Sequence, residues 1–474
     1  MSFLRHEWRL LAADRTLTTT AVLLLVLLGL GLFNGWRFAR QLAAQGEALA
    51  TEESARRTRL AQEAEAILAR RAPEVPSWKS PTQPFAVGNR LAQPRATLPP
   101  GPLNAFSVGQ LDLLPVSFQL TLLGRAADSG GETLEHPAHL STGAFDLGFV
   151  LLYLLPLFIL GLSFDVLSRE REDGTLRLLL VQAAGPRRWV MGRLAVRALM
   201  VLGVCALVGG VGLVLSPGMG GGLSWWVWML LVSLYGTFWF ALALAVNVLG
   251  RGSATNALVL VGLWLALVVV VPAAAQATVS RLYPAPSRVA LVGEVRRASA
   301  EATTRGSQLL ARYYEDHPEL AAGDSQAEAN TYLATSIAVQ EEAARRTAPV
   351  LAGFQTQLAH QQAALGLFRF LSPALAFQQG MHDVTGSGLG RYQHFVRQVE
   401  GFQQTWRAAL LPRVFAGQSL DARGHQALPR FTYVEEPPRE ALGRVGGALL
   451  ALLLPTVAAL VFGLWRLRRY PVTG

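Results

Sequence analysis

The segment Ser163-Phe-Asp-Val-Leu-Ser-Arg-Glu-Arg-Glu-Asp-Gly-Thr-Leu-Arg-Leu-Leu-Leu-Val-Gln-Ala-Ala-Gly-Pro-Arg-Arg-Trp-Val-Met-Gly-Arg193 joins two long apolar runs and is denser in charge than any other short stretch of the chain. Its first part predicts a polar helix, Asp165 to Asp173, that extends the preceding apolar run. Gly174 is expected to end that helix. The hydroxyl of Thr175 can then cap a second helix, because the first N–H groups of a helix lack backbone partners.

The second predicted helix is short and has one apolar face. Leu176, Leu179 and Leu180 share that face at helical spacing. Gly185 is expected to end the helix, and Pro186 occupies a position that the first turn of a further helix tolerates. The pattern therefore predicts a helix lying across the membrane face, with a shape suited to docking on a partner. An ordinary loop anchored by arginines is the alternative.

The rest of the chain is organised around apolar runs. About 20 apolar residues cross the hydrocarbon core of a bilayer as a helix, and 51% of the 474 residues are hydrophobic. The predicted spans are Leu17–Phe33, Ala144–Val166, Val190–Leu215, Leu223–Leu249, Ala254–Val271 and Val445–Trp465. We therefore predict an all-α integral membrane protein with six transmembrane helices.

Arginine is concentrated on one side of the predicted membrane. If the spans alternate in direction, that side receives Arg5, Arg9, Arg15, Arg169, Arg171, Arg177, Arg187, Arg188, Arg193, Arg251, Arg466, Arg468 and Arg469. The opposite short turn, Ser216–Gly222, carries no charge, and Trp225, Trp226 and Trp228 follow it as an aromatic belt would. The positive-inside rule predicts that both termini are cytoplasmic, in a multi-pass protein of the inner (plasma) membrane.

Two longer segments are predicted on the outer side. Residues 37–143 begin with the composition of a solvated helix and pass through proline-rich residues 73–102 into a predicted loop, Gly109–Gly143. Residues 272–444 predict a large, mostly helical domain between the fifth and sixth spans, with an antiparallel pair and a third helix: Arg288–His317, Ala327–Leu367 and Tyr392–Leu411. The predicted units are 1–36 (an interfacial helix and the first span), 37–143, 144–271 (with the coupling segment 167–188), 272–444 and 445–474.

Composition excludes several classes of function. The formal charge of +10 comes from basic residues at the edges of apolar runs, without the interleaved aromatic residues of a nucleic-acid platform. The lipid bilayer is therefore the predicted partner of this charge, and no nucleic acid is expected. Lys79 is the single lysine and does not belong to a Gly-x-x-x-x-Gly-Lys-[Ser/Thr] motif, so no ATP-binding P-loop and no cofactor is predicted. Cys205 is the single cysteine, which excludes a disulfide within the chain.

Residue types that could carry catalysis are sparse. His136 and His139 could ligate a metal, but a proline between them and the lack of a third ligand favour loop histidines. His382, Asp383 and Ser387 invite comparison with a catalytic triad, although Gly386-Ser-Gly-Leu-Gly390 favours a glycine-rich turn. We predict no catalytic residue and no metal site. The centres of the spans also lack ionisable residues, which ion-driven carriers usually need there.

Two sets of motifs resemble a known family. Glu170-x-Glu172-x-Gly174-Thr175-Leu176, followed by Leu179-Leu180 and Gly185-Pro186-Arg187-Arg188, resembles the coupling segment of type-2 ABC exporter permeases. Four further motifs of this chain resemble one branch of these permeases, which carries a large extracytoplasmic domain of unknown function. They are Gly109-Gln-Leu-Asp-Leu-Leu-Pro115, Phe145-Asp-Leu-Gly-Phe149, Leu371-Ser-Pro-Ala-Leu-Ala-Phe377 and Leu428-Pro-Arg-Phe431.

This resemblance implies a permease subunit that exports an unidentified substrate and carries no ATPase activity of its own. It implies two copies of a separate ABC ATPase subunit as partners, and pairing with a second copy or a sister permease. The residues expected to meet the ATPase are Glu170, Glu172, Gly174, Thr175, Leu176, Leu179, Leu180, Pro186 and Arg187. Two alternatives stay open: a scaffold that transmits motion without passing a substrate, and a membrane-anchored hydrolase that uses the outer domain.

Overall fold

The computed structural model describes residues 15–73, 75–123, 125–126, 145–175, 186–216, 221–284, 288–306 and 327–469. Within these residues the chain is mostly helical and contains six helices long and apolar enough to cross a membrane. The prediction of a helical, multi-pass membrane protein is confirmed at this level. The predicted interfacial helix Ser2–Asp14 lies outside the described residues.

The helices that contain the six spans are longer than the apolar runs alone. The first span begins α1, Arg15–Leu68, which continues without a break into the predicted solvated helix. The second span begins with one α-helical turn, Leu147–Phe149, continues through a π-helical segment, Val150–Leu154, and ends with α2, Leu155–Ser163. A separate short helix, α3, Ser168–Glu172, follows it. The third and fourth spans are α4, Pro186–Leu215, and α5, Gly221–Asn247. The fifth joins α6, Ser253–Trp264, through a π-helical segment, Leu265–Val270, to α7, Val271–Leu282. The sixth span lies in the last helix, Pro438–Arg468.

The fourth span forms the centre of the apolar core. Trp228, Tyr235 and Trp239 on α5 are completely buried. The Tyr235 hydroxyl donates to the carbonyl of Leu152 at 2.9 Å, so its polar atom is satisfied within the core. Burial of these large side chains makes α5 the helix around which the other spans pack.

The helices of residues 272–444 follow the fifth span. They are α8, Arg288–Thr304, α9, Ala327–Phe368, α10, Pro373–Thr385, α11, Leu389–Phe415, and α12, Ala422–Gln426, before the final helix, α13. Helices α8 and α9 pack together, and Arg346 reaches Glu301 at 2.9 Å between them. Helices are present at Arg288–Thr304, at Ala327–Phe368 and within Leu389–Phe415, as predicted, and the antiparallel arrangement of the first two stays a prediction. Helices α10 and α12 were not predicted. The residues between α8 and α9, 307–326, which include the end of the predicted helix Arg288–His317, lie outside the described residues.

Residues 37–143 contain a small antiparallel sheet in the order β1-β2-β3. Its strands are β1, Arg95–Thr97, β2, Ser117–Leu120, and β3, Arg125–Ala126. Ala96 pairs with Phe118, and Gln119 pairs with Arg95 and Ala126. The prediction of a loop from Gly109 was therefore wrong at β2 and β3. Both strands are too short to show a clear alternating pattern in the sequence.

Residues 37–143, the first segment, and residues 272–444, the insert, share hydrophobic clusters. One cluster joins Leu60, Val87 and Leu122 of the first segment to the α11 side chains Trp406, Leu410 and Val414. A second joins Ala96, Leu98, Leu111 and Leu120 to Phe395 and Val399. The indole of Trp406 also donates to the carbonyl of Gly88 at 3.1 Å. Residues 53–122 and the second half of the insert therefore bury one another.

Candidate functional site

The charged segment after the second span folds into α3 and a tight turn. Helix α3 ends at Glu172, and Gly174 has a φ of +72° with open space around the position of a Cβ. Glycine is favoured there by the positive φ rather than by a close neighbour, since other residues rarely adopt this conformation. The predicted helix end at Gly174 is confirmed.

Glu170 connects this turn to the third span. Its carboxylate lies 2.9 Å from the guanidinium of Arg193 on α4, and the two side chains are 16% and 24% exposed. The Arg193 guanidinium also stacks over the Trp189 ring, with its central carbon 4.7 Å from the ring centroid. The Thr175 hydroxyl donates to the same Glu170 carboxylate across the turn. Glu170 thus holds both the turn and the start of α4.

Glu172 connects α3 to the fifth span. Its carboxylate accepts the backbone N–H of Ser253 at 2.7 Å and the Ser253 hydroxyl at 2.7 Å. The preceding residue, Gly252, has no side chain to cap α6. An N-terminal helix N–H needs an acceptor, and an acidic group is favoured at that end of the helix dipole. Glu172 therefore supplies, from another helix, the cap that α6 lacks.

Asn247 and Arg171 connect the same segment to the fourth span. The buried Asn247 amide donates to the carbonyl of Ser163 at 2.9 Å and accepts the N–H of Leu167 at 3.3 Å. Arg171 donates to the carbonyl of Gly250, just beyond α5. We call residues 163–175 with Arg193, Asn247, Gly250 and Ser253 the junction. In it, polar side chains join one short segment to the ends of three other spans.

The junction contains only part of the predicted contact set. Glu170, Glu172, Gly174 and Thr175 lie together in it, and Pro186 begins α4 as expected. Arg187 is half-buried next to that start. Leu176, Leu179, Leu180 and the predicted helix they belong to lie outside the described residues. The ATPase-facing role of these nine residues stays a prediction.

Sequence reasoning missed the partners of these residues in the other spans. A partner for Asn247 could have been predicted, because a buried amide at the end of an apolar run needs a hydrogen-bond partner. A partner for Ser253 could also have been predicted, since it follows glycine at the start of a span. Arg193 was counted among the basic residues, but its pairing with Glu170 depends on tertiary structure.

The other residues considered for catalysis are not assembled into a triad. Ser387 Oγ lies 2.9 Å from Thr385 Oγ1, and Asp383 pairs with Arg444 at 2.9 Å. Burial raises the pKa of Asp383, although Arg444 opposes the shift. Neither Ser387 nor Asp383 is hydrogen-bonded to the His382 ring within the part of the chain that the structure describes. Gly386 has a φ of +73° and ends α10, which confirms the predicted glycine-rich turn.

Metal-ligating side chains and surface grooves were the other candidate sites in the part of the chain that the structure describes. The described residues hold no cluster of three metal-ligating side chains, and His136 and His139 lie outside them. An apolar groove of about 460 Å³ is lined by α4 residues that include Leu207 and Gly210, and another of about 440 Å³ lies between α1 and α4 and includes Gly29 and Phe33. Both grooves are on exposed helix faces rather than between the buried faces of the spans.

Comparison with known proteins identifies one matched region. Residues 288–434 match a family described as a domain of unknown function, DUF3526. This region runs from the start of α8 to the residues after α12. No curated protein and no solved structure matches the chain.

Proposed function

We propose that this chain is the permease subunit of an ATP-driven exporter of the type-2 ABC class, moved by a separate ATPase on the junction side of the membrane. The matched domain has no assigned function, so the proposal rests on the coupling-segment motif, the six apolar helices and the junction. The observation that carries it is the capping of α6 by Glu172. A push on the segment after Gly174 would act on a carboxylate that directly holds the fifth span.

The fifth span offers a path from the junction to the outer domain. It continues from Ser253 to Leu282 as a helix with a π-helical segment in its middle. At its far end the carbonyl of Tyr283 accepts a hydrogen bond from Gln361 on α9. In the proposed mechanism, ATP-driven closure of the ATPase subunits shifts α3 and α6 together. The shift is passed through this helix to α9 as mechanical coupling, without catalysis by this chain.

Purification of the full chain from its own membrane in mild detergent tests the proposal. We expect a P-loop ATPase to co-purify, and its ATP hydrolysis in proteoliposomes to depend on this chain. Glu172→Ala should weaken that dependence, because α6 loses its cap. Asp173→Ala is the matched control, since Asp173 is an exposed carboxylate one position further on. Lack of an ATPase partner, or equal effects of the two variants, would count against the proposal.

A scaffold that transmits motion without passing a substrate is the second candidate. It is favoured by the filled centre of the spans, where Phe377 of α10 stacks on Tyr235 at 4.3 Å. A second copy of the chain could still provide a path between two subunits. The two candidates differ in substrate stimulation: an exporter should hydrolyse ATP faster when its substrate is present, whereas a scaffold should respond to a ligand of the outer domain.

A further inference from the structure

The turn between α9 and α10 reaches deep against the fifth span. Ser372 is fully buried, and its hydroxyl donates to the carbonyl of Leu267 at 2.7 Å. Leu267 belongs to the π-helical segment of that span, where the wider helix leaves carbonyls available to other donors. The Ser372 Oγ also accepts the N–H of Leu375 at 3.3 Å and so caps α10. This turn is therefore hydrogen-bonded to the middle of a membrane-spanning helix.

Distances along the spans place the turn within the bilayer. The charged side chains of Arg171 and Glu172 bind the backbone at Gly250 and Ser253, just beyond the end of α5 at Asn247. The hydrocarbon boundary on the junction side therefore lies near Asn247 and Ser253. At 1.5 Å per residue, Leu267 is about 21 Å from Ser253 along the helix. Since the hydrocarbon core is about 30 Å thick, Ser372 lies roughly 9 Å below the opposite boundary.

The fourth span gives an independent measure of depth. Tyr235 lies about 18 Å along α5 from Asn247. Phe377 stacks on the Tyr235 ring at 4.3 Å, so the first turns of α10 also lie inside the hydrocarbon core. Further along α10, the position of Gly380 abuts Leu231 and Ala448, both nearer the outer boundary. Helix α10 therefore rises from within the leaflet towards its surface.

The turn exposes a group of large apolar side chains at this depth. Leu367, Phe370 and Leu371 are 71%, 45% and 64% exposed in the chain. Adjacent exposed side chains of this size are unfavourable in water and mark a surface that contacts lipid or protein. Their depth indicates that acyl chains cover them.

Arg369 lies among these apolar residues with its guanidinium directed towards α13. A Cβ at Gly447 would lie 2.7 Å from the Arg369 Nη1 atom. Gly447 is about 28 Å along α13 from Arg466, just inside the far boundary of a hydrocarbon core that is about 30 Å thick. The Arg369 Nε is buried without a hydrogen-bond partner among the described residues. Asp383 pairs with Arg444, and the charge of Arg369 is also near enough to lower the pKa of Asp383. The guanidinium thus lies next to the boundary between the hydrocarbon and the headgroups, above an apolar turn.

We propose that the turn 367–372 is inserted in the lipid leaflet on the outer-domain side and that Arg369 binds the phosphate of a phospholipid there. A guanidinium can donate two parallel hydrogen bonds to phosphate oxygens. The long stem of Arg369 lets its charged end reach the headgroups while its methylenes stay in the apolar layer. The site lies within the matched residues 288–434 and does not depend on whether the chain is a permease.

Nitroxide labelling of the full chain in phosphatidylcholine nanodiscs tests the insertion. Leu371→Cys carries the label, and Val350→Cys on the same helix, α9, is the control, being 41% exposed. The native Cys205 is buried and should stay unlabelled. We expect the label at Leu371 to be accessible to oxygen and shielded from a water-soluble nickel complex, with the opposite result at Val350. Access of the nickel complex to both positions would overturn the insertion.

Native mass spectrometry of the chain released from the same nanodiscs tests the phosphate contact. Loss of one charge-assisted contact should weaken phospholipid retention by about tenfold in Arg369→Gln. Arg397→Gln is the matched control, because Arg397 is an exposed arginine on α11. Unchanged retention in Arg369→Gln would overturn the phosphate contact. The nitroxide measurement uses the native arginine, so the insertion stays testable even if this variant fails to fold.

Discussion

The ion pair between Glu170 and Arg193 makes the most direct test of the junction. Glu170→Gln removes the charge but keeps an oxygen that can accept the Thr175 hydroxyl, so the change isolates the ionic contact to α4. The predicted effect is a weaker attachment of the turn to the third span, without any change to an apolar surface. Asp173→Asn makes the same charge change on an exposed residue and is the control.

The size of the effect follows from partial burial. Exposed ion pairs contribute about 0.2–1 kcal/mol, and removing one partner of a buried pair costs about 3–5 kcal/mol. With side chains 16% and 24% exposed and an N–O distance of 2.9 Å, Glu170 and Arg193 lie between these cases. We expect a coupling energy of about 1–2 kcal/mol, which is roughly a fivefold to thirtyfold change in an equilibrium constant.

A double-mutant cycle measures this coupling. The variants are Glu170→Gln, Arg193→Gln and their combination, compared by reversible unfolding in mixed micelles. The charge-swapped pair Glu170→Arg with Arg193→Glu should recover part of the lost stability, because the attraction is restored. A coupling energy near zero, or a loss equal to that of Asp173→Asn, would refute the reasoning that this contact joins the turn to the third span.

The remaining predictions concern the turn, the outer domain and the topology. Gly174→Pro should insert normally but fail to retain the ATPase in a pull-down, because proline cannot adopt the φ of +72° found there; normal retention would argue against a role for this turn. Trp406→Ala should destabilise the outer domain by about 3–5 kcal/mol in thermal unfolding, since it empties a fully buried indole site shared by both outer segments. Burial lowers the pKa of His425, so its contribution to stability is present above the unfolded value of 6.5 and is lost as pH falls below it; His425→Gln should flatten the pH dependence of unfolding, and an unchanged profile would contradict this. A cysteine at Gln62 should react with an impermeant reagent in intact cells, and one at Arg188 only after permeabilisation; the reverse pattern would invert the topology.

Local patterns in the sequence were sufficient for the elements whose physics is local. Six apolar runs predict membrane helices because each run must transfer its own side chains into lipid, whatever its neighbours are. Gly174 predicts a helix end through its own backbone freedom, and the pattern of Tyr392–Leu411 predicts a helix there. These features were confirmed as membrane-length helices, a helix end and the helix α11.

Tertiary structure alone decided which residues meet. Glu172 and Ser253 are 81 residues apart, and Arg57 donates to the carbonyl of Leu428 across 371 residues. Periodicity shows that a face will be buried, but it carries no information about the partner, so the shared outer clusters could not be predicted. The same limit hid the role of Glu172: the sequence shows a carboxylate in a charged segment, and only the folded chain brings the uncapped end of α6 within hydrogen-bonding distance of it.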